Sequence, residues 1–121
     1  MHKDYPRTRR VGEQIQRVLA QLIRDRVKDP RLGMVTVSAV HVSRDLGHAK
    51  VFVTVLGDEQ KRQESLRVLS KAAGFLRGEL GREMVIRAVP QLHFTYDESI
   101  EHGMRLSSLI DSAIADDVAK H

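Results

Sequence analysis

The sequence predicts an α+β domain in which helices cover one face of a three-stranded sheet. Three observations predict it. A helical apolar repeat follows Pro6, two Val-rich alternating segments come next with a short turn between them, and a second helical repeat leads to a third alternating segment. The 121 residues make one domain, 1–121, and a hydrophobic fraction of 41% supplies its core. Three Phe, two Tyr and no Trp make that core aliphatic and leave few rings for stacking a ligand.

In the first element Val11, Ile15, Val18, Leu19, Leu22 and Ile23 recur at helical spacing and form one apolar face. Arg10, Gln14, Arg17, Gln21, Arg24 and Lys28 fall on one opposite stripe, about 80° wide at ~100° per residue. The helix should end near Lys28, because Asp29 precedes Pro30 and is disfavoured in the helical region. Asp29-Pro30-Arg31-Leu32-Gly33 then reads as a turn.

Met34 to Val42 is extended in character. Val35 and Val37 share one parity and Val40 and Val42 the other, so either a bulge lies near Ser38-Ala39 or both faces are buried in places. After the turn Ser43-Arg44-Asp45-Leu46-Gly47, a second strand runs from His48 to Leu56, with Val51, Val53 and Val55 inward and Lys50, Phe52 and Thr54 on the other face. So short a connection predicts an antiparallel hairpin.

Gly57-Asp58 ends that strand, and residues 59 to 82 return to helical period with Leu66, Leu69, Ala73, Leu76 and Leu80 as the core stripe. Gly74, Gly78 and Gly81 fall on another face, each costing about 1 kcal/mol relative to Ala inside a helix. They predict an interruption at Ala73-Gly74: a kink, a cap, or close approach of another backbone. Val85 to Tyr96 is a third strand, with Pro90 marking an edge or the strand's start. Residues 97 to 120 read as a last helix, with Met104, Leu106, Leu109, Ile110, Ala113 and Ile114 apolar. Asp116 and Asp117 oppose the dipole at its end, so 116–121 should fray, and 1–5 should be flexible. The order is α-β-β-α-β-α.

Charge narrows the function. Twenty Lys/Arg against sixteen Asp/Glu give a net +4, and residues 1 to 31 hold nine of the former and four of the latter. A basic first quarter on a near-neutral body suits a polyanion, nucleic acid or an anionic membrane, and suits plain solubility as well. The stripe sharpens this, because it contains no carboxylate; Glu13 and Asp25 only flank it. Membrane binding is disfavoured because the core needs the apolar face and the helix has no aromatic anchor.

Much chemistry is excluded. With no cysteine there are no disulfides, Cys-bound zinc, iron–sulfur clusters or thiol nucleophiles, which fits a reducing compartment. The opening residues show no apolar signal region and no run reaches ~20 apolar residues, so a soluble cytoplasmic protein is expected. The six histidines form no His-x-x-x-His pair, although His41 and His93 could meet across a sheet. There is no Gly-x-Ser-x-Gly elbow and no nucleotide-phosphate loop. Asp97, Glu98 and Glu101 cluster, but acids at a helix start are favourable there without any catalytic role. No catalytic residue, metal, cofactor or small-molecule substrate is expected.

Lys71 and Arg77 bracket Ala72, Ala73 and Gly74, where a nucleic-acid backbone could approach; a kink required only for packing explains those residues equally well.

Several segments closely resemble one family. They are Arg9-Arg10-Val11, Asp29-Pro30-Arg31-Leu32-Gly33, Val42-Ser43-Arg44-Asp45-Leu46, Ala49-Lys50-Val51-Phe52-Val53, Ala73-Gly74-Phe75-Leu76-Arg77, Pro90-Gln91-Leu92-His93-Phe94 and Gly103-Met104-Arg105. In order and spacing they resemble bacterial ribosome-binding factor A over about residues 5 to 110. The resemblance implies a type II KH-like fold, α-β-β-α-α-β, with an added C-terminal helix. It implies a non-catalytic, monomeric factor that binds the free small (30S) ribosomal subunit and its 16S rRNA. Such a factor assists late maturation and 5′-end processing and supports growth in the cold. The family's Ala-x-Gly helical kink, which replaces the usual KH Gly-x-x-Gly loop, corresponds to Ala72-Ala73-Gly74. Gly78-Glu79-Leu80-Gly81 matches Gly-x-x-Gly by letter but reads as the helix's end, since Glu79 would repel phosphate and Leu80 belongs to the core.

The expected RNA surface is therefore Arg7, Arg9, Arg10, Arg17, Arg24 and Lys28 on the first helix; Arg31, Arg44 and Lys50 around the hairpin and the preceding turn; and Lys71, Ala72, Ala73, Gly74 and Arg77 at the kink. Two other readings stay open: a KH-like module for other RNA or DNA, and a nuclease using Asp97 or Glu101.

Overall fold

A computed structural model describes residues 6–86 and 88–99. The elements are α1 (Arg7–Arg26), β1 (Val35–Val42), β2 (His48–Val55), α2 (Glu59–Glu83) and β3 (Gln91–Tyr96). The expected last helix, from residue 100 on, the frayed 116–121 and the flexible 1–5 lie outside the described residues.

β2 is the central strand, antiparallel to β1 and parallel to β3. This α-β-β-α-β order with a mixed sheet agrees with the KH-like expectation. The β1–β2 register shifts between Val37 and Ala39, so the bulge alternative is the correct one. The extra residue swaps parity and turns Val37 and Val40 to the same buried face. Two ties hold the bulge. Gln16 of α1 donates from Nε2 to the carbonyls of Val37 and Ser38, both at 3.2 Å. The Ser38 hydroxyl donates to Asp97, just past β3.

α1 lies against β1 and α2 against β3, on one face of the sheet. Ile15, Leu19, Leu69, Leu76, Leu80, Val51 and Val53 are fully buried between the layers. The α1–β1 contact is close enough to require glycine: a Cβ on Gly12 would lie 2.6 Å from the Val40 carbonyl oxygen. Pro6 opens α1, its carbonyl accepting from the amides of Arg9 and Arg10. Asp58 caps α2 by accepting from the Lys61 amide at 2.9 Å.

Two expectations need correction. α2 is one continuous helix through Ala73-Gly74, because its core stripe stays in phase over the sheet and offsets the cost of exposed glycines. Gly78-Glu79-Leu80-Gly81 lies in the last turns of α2, which ends at Glu83, as expected. β3 begins at Gln91, not Val85: Val85 is fully exposed, and Pro90, which lacks an amide hydrogen, stands immediately before the first paired residue.

Candidate nucleic-acid interface

Amphipathicity places the α1 stripe. With Ile15, Leu19, Leu22 and Ile23 buried, the opposite residues Arg10, Gln14, Arg17, Gln21 and Arg24 are all exposed, as is Arg7; α1 ends at Arg26, so Lys28 is exposed just beyond the helix and not on its stripe. Arg9 is exposed beside the stripe, 3.8 Å from Glu13. Arg24 has Asp25 at 3.9 Å, and this loose exposed pair leaves its charge available. The first turn of α1 has no acidic residue and carries Arg7, Arg9 and Arg10. Cations at a helix N-terminus oppose the dipole, so helix stability does not account for them.

A second basic surface lies on α2. At ~100° per residue Arg67, Lys71, Gly74 and Gly78 share a stripe about 60° wide, and all four are exposed. A Cβ at Gly74 or Gly78 would have nothing within 4 Å among its described surroundings, so internal packing does not demand glycine there. Phe75, 46% exposed, sits at the stripe's edge with the Arg26 guanidinium 5.6 Å from its ring centre. Ala72 and Ala73 are half-buried against the core. Sequence reasoning missed Arg67 and Phe75, although helical spacing from Lys71 could have found both.

The turn after α1 brings a further cation to α2. Gly33 donates to the buried Ser65 hydroxyl at 2.9 Å and Lys61 donates to the Arg31 carbonyl at 3.2 Å. Arg31 thereby lines one hollow with Arg67 and Lys71. Its guanidinium is already held by Asp29, Nε to Oδ1 at 3.0 Å and Nη2 to Oδ2 at 2.7 Å. Those side-chain hydrogen bonds lower the Asp29 carboxyl from 3.8 to about 2.

Other expected residues are placed differently. Arg77 lies on another side of α2 and donates from Nε and Nη2 to the Val89 carbonyl at 3.0 and 2.9 Å, fastening the segment before β3. Arg44 is exposed in the hairpin turn. Lys50 is on the sheet face away from the helices, its ammonium 5.6 Å from the centre of the Phe52 ring. His41 and His93 do not meet, because central β2 separates their strands; His93 instead has His48, with Nδ1 and Nε2 3.0 Å apart. Glu79 is buried against Arg26 and so faces α1. Asp97 accepts from the Ser38 hydroxyl and the Ser99 amide, which lower its pKa. Among the described residues no helix is long and apolar enough to cross a membrane.

Comparison with known proteins now decides the family. The family model for ribosome-binding factor A matches residues 7–110. The chain belongs to the ribosome-binding factor A family. It is 60% identical over 119 residues to the ribosome-binding factor A of Pseudomonas fluorescens strain Pf-5, covering 97% of this chain and 90% of that one. The crystal structure of ribosome-binding factor A from Thermus thermophilus matches with a TM-score of 0.67 at 34% identity, over 74% of this chain and 93% of that one. A homology model of the Thermus thermophilus factor, fitted into the cryo-electron-microscopy map of a 30S complex, matches with a TM-score of 0.61 at 34% identity, over 72% and 91%. The ribosome-binding factor A relatives share the α+β architecture, and the matched residues run from the first residue of α1 past β3.

Proposed function

We propose that this protein is a non-catalytic assembly factor that binds the free small ribosomal subunit and its 16S rRNA in the cytoplasm as a monomer. It assists late maturation and 5′-end processing of the precursor rRNA and supports growth in the cold. The observation that carries the reading is the α1 stripe, five outward residues in register, three of them cationic and none acidic, with Lys28 exposed just past the helix end. Support comes from the Thermus thermophilus relative fitted into a 30S map.

Two surfaces divide the work. The α1 residues Arg7, Arg9, Arg10, Arg17 and Arg24, with Lys28 just past the helix end, lie along phosphates, a contact that weakens with salt. On α2, Lys71 and Arg67 draw the rRNA backbone over Gly74, where no side chain stands in the way, while Ala72 and Ala73 hold that face to the core. Arg31 and Arg44 add charge at the ends of β1, and Arg77 contributes field more than direct contact because its Nε and Nη2 are held on the Val89 carbonyl. Binding holds a conformation of the immature rRNA, with no bond made or broken.

Co-sedimentation with purified small subunits, free and joined, tests the reading. Wild-type protein should pellet with free small subunits and be lost as salt rises, and Arg10→Glu with Arg17→Glu should remain in the supernatant. Unchanged binding by that variant would remove α1 from the interface. Equal binding to unrelated RNA would favour a generic KH-like module. Cleavage of precursor rRNA that is lost on Asp97→Asn would make the protein a nuclease.

A further inference from the structure

The face of the sheet opposite the helices gathers cations that neither α1 nor α2 uses. Lys50 of central β2 stands between His41 of β1 and His93 of β3, its register partners on either side. The bulge sets this up, because without the extra residue His41 would face the core. His48 and His93 share a hydrogen bond of 3.0 Å, and the edge of His41 meets Phe52 at 5.1 Å between ring centres. His41, His48, Lys50 and His93 are exposed and line one shallow hollow with Val42 and Ser43. From the hairpin turn Arg44 adds a charge. Among the described residues the carboxylate placed to act on His48 is Asp45, and its Oδ1 is occupied by the Ser43 hydroxyl and the Gly47 amide.

This group fits an anion with a flat apolar part. A neutral histidine pair satisfies itself with one shared hydrogen, since one ring donates and the other accepts. With both rings protonated neither nitrogen can accept, the shared hydrogen bond is lost, and an anionic oxygen between the rings can accept from both. Phe52 beside Lys50 and His41 offers an aromatic surface for an unpaired base, and an open sheet face admits a single strand more readily than a duplex.

We infer that the open sheet face of His41, His48, Lys50, Phe52 and His93 is a second RNA contact, taking a single-stranded segment with a phosphate over the His48–His93 pair and a base against Phe52. It rests on the reading that this protein binds RNA and adds a surface on the opposite side from the helices.

Fluorescence anisotropy of the full chain with an unstructured RNA of about ten nucleotides, at about pH 7.5 and about pH 5.5, tests it. Wild-type protein should bind about tenfold more tightly at the lower pH. His48→Gln with His93→Gln should lose that gain, and Lys50→Gln should weaken binding at both values. Arg10→Glu with Arg17→Glu should keep the gain, and its small-subunit binding, measured separately, reports on the function proposed above. A pH gain undiminished in the histidine variant overturns the inference, as does absence of oligonucleotide binding by wild type. A glutamate-rich peptide held as tightly, with the same pH response, overturns it in favour of a protein partner.

Discussion

Arg26 and Glu79 join the two helices: Nη1 of Arg26 donates to Oε1 of Glu79 at 3.0 Å, with the Glu79 side chain 11% exposed. Arg82 reaches the other oxygen only at 3.9 Å. The pair ties α1, which carries the basic stripe, to α2, which carries the exposed glycines.

Removing Arg26 leaves a mostly buried carboxylate with a distant partner. Arg26→Met should therefore lower stability by about 1–2 kcal/mol, below the loss for a fully buried pair because Arg26 is half exposed. Urea denaturation of both single variants and the double Arg26→Met/Glu79→Gln checks it. Additive effects would mean that the pair is not coupled.

Two helical glycines should respond oppositely to substitution. Gly12→Ala drives a methyl against the Val40 carbonyl and should cost about 2–3 kcal/mol in a thermal melt. Gly74→Ala meets nothing and should stabilise by about 0.5–1 kcal/mol. Gly74→Leu should keep the fold, read by circular dichroism, and weaken small-subunit binding. Full binding by the Leu variant would leave Gly74 with no part in the interface.

Acid should loosen the fold through two carboxylates. Asp29, held by Arg31, titrates at about 2, and Asp97, held by Ser38 and Ser99, is also lowered. A depressed folded value means that the unfolded chain takes up protons first. The stability each contributes is present above the ordinary value of 3.8 and is lost as pH falls through its lowered folded value, which for Asp29 is about 2. Asp97→Asn should flatten the dependence of stability on pH below the ordinary carboxylate value of 3.8, followed by denaturation at stepped pH. An unchanged slope would exclude Asp97 as a contributor.

Salt should separate phosphate contacts from fastenings. If Arg10 and Arg17 each meet one phosphate, replacing both with Gln lowers the slope of log affinity against log salt by about 1.5. Arg77→Ala should instead destabilise the segment before β3 while leaving that slope unchanged, because its guanidinium serves the Val89 carbonyl. A fall in slope for Arg77→Ala would restore it as a contact.

The local code of the chain was legible in the residues themselves. Period and parity placed both helices and all three strands, and the parity change between Val37 and Val40 narrowed β1 to a bulge or two-faced burial. The α1 stripe was legible for the same reason, since a helix of known phase with one apolar face has only one side left for solvent. Tertiary structure decided what spacing cannot express. It kept α2 unbroken at Gly74, because packing of Leu69, Leu76 and Leu80 on the sheet outweighs local helix propensity. It gave Arg77 to Val89 and Arg31 to Asp29, since a cation's partner depends on what the fold brings within about 3 Å. It put β2 between β1 and β3, parting His41 from His93 and pairing His93 with His48. Strand order is a choice among non-local pairings, and no short-range pattern in the sequence records it.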